Sequence, residues 1–204
     1  MNCDEANYES YTVDNALNVI DTLEPCKYIS NPMNKPTPKL QSIIDSLQLL
    51  KHPEGGYFKE TDRSPFTTKN KDGKIRNYST LIYYLLTPDG PRGRFHYNEN
   101  RIIHTLHRGR GQYVLIYPDG HVHSFKVGYD VANGEVSQWV VPGGVYKASF
   151  VLENDELDDG LLISEVVVPG FDFEDHHFMA GGVEELTRRC KGDSQLANKL
   201  SFLL

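Results

Sequence analysis

Apolar positions along the chain change their period twice. After Thr37 and Pro38, the residues Leu40, Ile43, Ile44, Leu47 and Leu50 recur at three- and four-residue spacing, which predicts one amphipathic helix with a single buried stripe. Thr37 is a suitable N-cap, Pro38 suits the first helical position, and His52-Pro53-Glu54-Gly55-Gly56 stops the run. From Tyr57 to Val168 the helical period disappears and short β-rich runs replace it: Thr80 to Leu86, Ile102 to Leu106, Gln112 to Tyr117, His121 to Val127, Val136 to Val141, Val145 to Leu152 and Leu161 to Val168. Turn sequences such as Thr87-Pro88-Asp89-Gly90, Pro118-Asp119-Gly120, Asn133-Gly134 and Pro142-Gly143-Gly144 separate most of them, with proline fixing φ and glycine supplying the conformational freedom. Many short strands with no helices between them predict an all-β sandwich or barrel. Helical spacing returns in Val183 to Cys190 and in a last segment capped by Asp193 or Ser194 that runs through Leu196 and Leu200.

Residues 1–36 follow neither period. They are polar and acidic, then proline-rich through Pro25, Pro32 and Pro36, and read as a tail in which only Ala16, Leu17 and Ile20 offer a short helical set. Residues 37–204 form the single expected domain, long enough to bury a real core. The net charge of −7 argues against general binding to nucleic acid or anionic membranes, both of which need basic surface. No apolar run approaches a bilayer span, and the N-terminus lacks a secretory signal. Cys3, Cys26 and Cys190 are few, odd in number and far apart, which fits a reducing compartment, the cytoplasm or also the nucleus, rather than a disulfide framework.

Two segments carry the candidate chemistry. Gly93-Arg94-Phe95-His96-Tyr97 is followed by Arg101-Ile102-Ile103-His104 and a glycine turn at Gly109; the second is Val141-Pro142-Gly143-Gly144-Val145-Tyr146-Lys147. Together they resemble the paired motifs of the cupin superfamily, with histidine and carboxylate on one strand pair and Pro-x-Gly-x-x-His on another. His52 to Phe58, Glu60-Thr61, Thr80 to Leu86 and Pro169 to Asp175 look like the type-five cupins, a branch long labelled a domain of unknown function. The resemblance runs from about Pro38 to the C-terminus. It implies an eight-stranded jelly roll, the double-stranded β-helix of cupins, with an N-terminal helix and short C-terminal helices, and it implies a homodimer.

A metal cupin typically uses two or three histidines and one carboxylate, donors suited to Fe, Mn, Ni or Zn. Matched position by position, His96 takes the first histidine place, Asn98 stands at the second, Ile102 at the carboxylate and Lys147 at the second-motif histidine. One ligand of four is left and a protonated amine repels a cation, so neither metal nor cofactor is expected. His121-x-His123 reads as two solvated histidines at a hairpin tip, and His176-His177, beside acidic residues, as surface ion pairs.

Alternate strand residues share a face. With His96, Ile102 and Lys147 inward, His104, Leu106, Val145 and Ser149 face the same side. Glu60, Arg76, Thr80 and Tyr84 join from the earlier strands, and Arg101 adds a further cation. The expected ligand-binding set is therefore Glu60, Arg76, Thr80, Arg101, His104 and Ser149. Lysine and arginine favour carboxylate or phosphate, so the expected partner is a small anion. Gly93 to Tyr97 also resembles the segment around the catalytic histidine of metal-free sugar-nucleotide epimerases, another cupin branch. That likeness implies a metal-free isomerase, epimerase or lyase on a small anionic, carbohydrate-like molecule, with His96 as base, Lys147 beside it and Tyr84 or Tyr146 as acid. A protein that binds a small ligand without turning it over is the alternative, and an interaction protein with a vestigial pocket is a third.

Overall fold

The computed structural model describes residues 22–204, so the helical set at Ala16, Leu17 and Ile20 lies outside the described residues. Among the described residues the helices α1 (Lys27–Ser30) and α2 (Pro38–Leu47) precede the strands, and α3 (Gly182–Arg189) and α4 (Ser194–Leu200) follow them. Between them run β1 (Leu50–Lys51), β2 (Tyr57–Arg63), β3 (Thr67–Lys69), β4 (Ile75–Asn77), β5 (Thr80–Leu86), β6 (Arg92–Asn98), β7 (Arg101–Gly109), β8 (Gly111–Ile116), β9 (Val122–Val127), β10 (Gln138–Val141), β11 (Tyr146–Val151), β12 (Leu161–Val168) and β13 (His176–Phe178). The strands form a six-stranded sheet in the order β1-β2-β5-β12-β7-β10, a five-stranded sheet in the order β13-β6-β11-β8-β9, and a β3-β4 hairpin. This is the all-β sandwich expected from the strand pattern, in the double-sheet jelly-roll form that the family resemblance implies, with its helices at the two ends of the chain.

Strand alternation sorts side chains into three layers. Leu85 and Leu162 point away from the second sheet and receive Leu40 and Ile44 of α2. The α2 N-terminus is capped by Thr37, whose Oγ1 accepts from the Leu40 amide at 3.3 Å. The helix ends one turn earlier than its apolar stripe suggests: Gln48 turns left-handed, and Leu50 starts β1 and is exposed. On the other side, Phe95, Val114, Ile116, Tyr146, Ala148 and Phe150 face outward and are covered by Leu186, Cys190, Ala197, Leu200 and Leu203. Between the sheets lie Tyr84, Leu86, Leu106, Tyr113, Leu115, Trp139, Val151, Leu161 and Ile163. Burying these residues is the main force holding the sheets face to face.

Packing against the domain begins before residue 37, the boundary expected from composition. The Gln112 side chain accepts from the Glu24 amide at 3.1 Å and donates to the Thr22 carbonyl at 2.7 Å. The Tyr28 hydroxyl donates to Asp159 at 2.8 Å, and Leu23 and Ile29 pack against the cluster under α3 and α4. Among the described residues no helix is long and apolar enough to cross a membrane.

Candidate functional site

Three separate segments deliver ionisable side chains to one end of the barrel interior. The loop after β1 carries Glu54 and is fastened to β6: the Arg94 amide donates to the Glu54 carbonyl at 2.9 Å, and the Arg94 guanidinium donates to the Pro53 carbonyl at 2.8 Å. Gly55 has φ +120°, and a Cβ there would sit 2.1 Å from the Arg92 carbonyl oxygen, so only glycine lets the loop lie this close. On β6, His96 turns inward and is oriented by its Nδ1, 2.7 Å from the Arg94 carbonyl. Gly93 leaves the room that Tyr84 and Ser149 occupy, since a Cβ there would meet the Tyr84 hydroxyl at 2.8 Å.

The third segment is β13, which pairs with β6 in the register His176↔Asn98 and Phe178↔His96. Its position is set from a distance. Arg76 forks onto Asp175 with two bonds of 2.8 Å, and Asn100 donates to the same carboxylate at 2.9 Å. This planar, two-bond geometry is specific to arginine. The hydrogen bond to Arg76, against a smaller penalty from burial, lowers the Asp175 pKa.

Glu54, His96 and His176 meet at the floor of a cavity of about 240 Å³. Glu54 Oε1 lies 2.6 Å from His176 Nε2 and 3.2 Å from His96 Nε2, and the two imidazoles stack with centroids 5.0 Å apart. Burial opposes the charge on Glu54, but His96, His176, His52 and Lys147 outweigh it and hold its pKa at about 2. His96 is pushed down to about 4 by burial first, with Lys147 and His176 adding to the effect against the pull of Glu54. Near neutral pH the carboxylate is charged and the His96 ring neutral. Phe58, Phe171 and Phe173 line the cavity as well.

A second polar group spans the two sheets. Lys147 Nζ donates to Glu165 at 2.8 Å and lies 3.0 Å from His104 Nε2. Burial raises the Glu165 pKa, but Lys147 and His104 dominate and hold it well below the ordinary carboxylate range. Burial and Lys147 lower that of His104, whose ring stacks on Trp139 at 4.9 Å.

The expected site residues divide accordingly. His96, Lys147, Tyr84 and Glu60 line the cavity, and Lys147 and His96 are direct partners across β11 and β6. The Tyr84 hydroxyl donates to the Gly55 carbonyl at 3.0 Å, and burial raises its pKa well above the ordinary value. Glu60, at the exposed rim, is held by Arg63 at 2.8 Å. His104 is buried behind Lys147, and Ser149 lies across from Gly93; neither is among the cavity-lining residues. Thr80 and Arg76 are buried but act at one remove. Thr80 Oγ1 accepts from the Phe171 amide at 2.9 Å, fixing the segment over the cavity, while Arg76 fixes Asp175. Arg101 is exposed at the start of β7 and is likewise not among the lining residues.

The expected cationic mouth is therefore not formed: Lys147 is neutralised by Glu165, Arg76 by Asp175, and Arg101 stands outside. His176 is a further correction, because it faces the cavity and contacts Glu54 instead of the surface. Glu54 and Glu165 had no site role in the sequence, and His176 was placed at the surface. Glu165 carried a signal, as a carboxylate of the same strand parity as Ile163 in the run Leu161 to Val168. Glu54 sat in a turn read as a helix stop and as part of a family motif, with no site role.

The profile of the family described as Cupin superfamily (DUF985) matches residues 41–179. The uncharacterized protein YML079W of Saccharomyces cerevisiae is 59% identical over 191 residues, covering 89% of this chain and 94% of the yeast protein. A hypothetical protein from Leishmania major superposes with a TM-score of 0.69 at 30% identity, covering 78% of this chain and 96% of its own. Protein SO0799 from Shewanella oneidensis gives a TM-score of 0.65 at 27% identity, covering 79% and 96%.

Proposed function

We propose that this chain, which belongs to the cupin superfamily, is an enzyme of the isomerase, epimerase or lyase type that moves protons on a small hydroxylated, carbohydrate-like molecule held in the barrel. The observation that carries this reading is the mutual contact of Glu54, His96 and His176 at the buried floor of the cavity. A general base needs a lone pair within reach of its substrate and a partner that orients it. The Arg94 carbonyl orients His96 through Nδ1, which leaves Nε2 as the acceptor. Aromatic residues around a few fixed polar groups are the usual make-up of a small-molecule site. Asn98 adds to it: it lines the cavity, and its buried Nδ2 has no hydrogen-bond partner among the described residues.

A non-catalytic ligand-binding protein is the second reading. It is favoured by Lys147, whose ammonium is committed to Glu165 and His104, and by Tyr84, whose hydroxyl is committed to Gly55. The test is incubation of the purified protein with a small-molecule extract in D2O, followed by mass spectrometry. The enzyme reading predicts one polar metabolite that gains deuterium at carbon with the wild type and not with His96→Asn or Glu54→Gln. A metabolite that binds but is recovered without deuterium or conversion would sink the enzyme reading in favour of the second. The homodimer implied by the family resemblance, and the cytoplasmic or also nuclear location expected from the cysteines, belong to the same proposal; sedimentation velocity giving a monomer would remove the first.

A further inference from the structure

Glu54, His96 and His176 each offer one ligand atom, and the three atoms lie within 4.8 Å of one another. Asn98, Ile102 and Lys147, which stand at three of the usual cupin ligand positions, play no part in this set. Two of the three donors come instead from the loop after β1 and from β13.

The hydrogen-bond roles of Glu54 and His96 conflict unless a proton or another cation stands between them, whereas His176 Nε2 can donate to Glu54 at 2.6 Å. The Arg94 carbonyl can only accept, so at 2.7 Å it requires the ring proton of His96 on Nδ1. A neutral His96 then presents a bare lone pair at Nε2, and 3.2 Å away stands Glu54 Oε1, which also only accepts. Metal-bound histidines show this same arrangement, one nitrogen donating to a backbone carbonyl and the other free for the ion.

The charge balance of the cavity points the same way. Glu54, Glu60, Glu165 and Asp172 line it, against Lys147 and Arg63. Lys147 is committed to Glu165 and Arg63 to Glu60, each at 2.8 Å. Glu54 and Asp172 are left with no Lys or Arg ion pair among the described residues. A buried carboxylate whose ion-pair partners are all imidazoles can take a cation, and two imidazoles with one carboxylate suit a first-row transition metal better than Mg²⁺ or Ca²⁺.

We propose that Glu54, His96 and His176 form a seat for one divalent first-row transition-metal ion at the floor of the cavity. The inference replaces the metal-free expectation from sequence. It rests on the reading above only in taking the cavity as the ligand site; an ion at Nε2 takes the lone pair which that reading gives to His96 as base, so in the loaded protein His96 is a ligand and not the base, and the ion would receive an anionic or hydroxylated ligand.

The test uses the full chain without a histidine tag, stripped with chelator and titrated with Zn²⁺ and Co²⁺. One ion per chain is expected, and X-ray absorption of the zinc form of the wild type should show two imidazoles and one carboxylate. His176→Ala and Glu54→Gln should each weaken Zn²⁺ binding by ~100-fold or more, since even outer-shell changes cost about 10–100-fold. His121→Ala/His123→Ala should leave it unchanged. Well under one ion per chain, a different imidazole count in the wild type, or loss of binding in His121→Ala/His123→Ala would overturn the proposal. The absorption measurement decides the matter even where a variant does not fold. None of these readouts needs turnover: an ion bound at the trio without deuterium exchange would leave only the enzyme reading to fail, and exchange by a protein that binds no ion would leave only the metal seat to fail.

Discussion

The two ends of the barrel interior are built from the same strands and the same alternation, yet they do opposite things. Toward one end, the inward positions of β11, β12 and β7 are Val151, Leu161, Ile163 and Leu106. A few residues along the same strands, the inward positions become Lys147, Glu165 and His104, all buried. Apolar burial at the first end stabilises the roll at roughly 25 cal/mol per Å² removed from water. The second end takes charges out of water, which costs several kcal/mol per ion before pairing recovers part of it. Sheet geometry does not require this. A polar end inside an otherwise apolar barrel is what a fold that gives up stability for the proposed site would show.

The largest expected effect comes from breaking the polar end on one side only. Lys147→Met leaves Glu165 buried without its ammonium partner, with only the His104 imidazole 3.5 Å away, and should lower stability by up to ~3–5 kcal/mol. Adding Glu165→Leu should recover most of that loss, because an apolar pair of similar volume is no worse than a buried ion pair. Urea unfolding of the single and double variants checks this. Equal or additive losses would mean that Lys147 and Glu165 do not depend on each other.

Acid should next weaken the polar end of the chain stripped of metal. Folded His96 takes up its proton only near pH 4, whereas the unfolded imidazole does so at 6.5. Between those values the unfolded chain binds more protons, so stability falls as pH drops from 6.5 to 4. His104 and His52, lowered chiefly by burial, act in the same direction. Glu54 extends the fall below its ordinary 4.5 toward about 2, because the unfolded carboxyl protonates first. For His96 alone the ceiling is on the order of 3 kcal/mol, at 1.36 kcal/mol per pH unit. His96→Asn should lessen the slope between pH 6.5 and 4, leaving the share of His104 and His52, and a wild type equally stable at both values would contradict this.

How much of this was legible in the sequence follows from where each residue's position is decided. β5 and β12 end where the apolar runs Thr80 to Leu86 and Leu161 to Val168 end, because local alternation and turn residues set both. The pairing of His96 with Lys147 was legible for the same reason, since each lies on a strand whose facing the motif fixes. Glu54 and His176 were not. One sits in a loop without periodicity, and the other on a three-residue edge strand held by an Arg76–Asp175 contact 99 residues apart in the chain. No local pattern encodes a contact of that range.

The smallest expected effect lies at the apolar end. Ile163→Val should cost about 0.5–1.5 kcal/mol and leave ligand and metal binding at the other end unchanged. A large change in binding would mean that the two ends are coupled and that the division between them is not a physical one.

The most direct test of that division is native mass spectrometry of the protein gently purified from its own cells, as wild type, Glu54→Gln and Ile163→Val. The account predicts a small molecule retained by the wild type and by Ile163→Val, and lost from Glu54→Gln while its near-ultraviolet circular dichroism stays that of a folded chain. A wild type that carries nothing, or a ligand held equally by Glu54→Gln, would contradict the assignment of the polar end as the site.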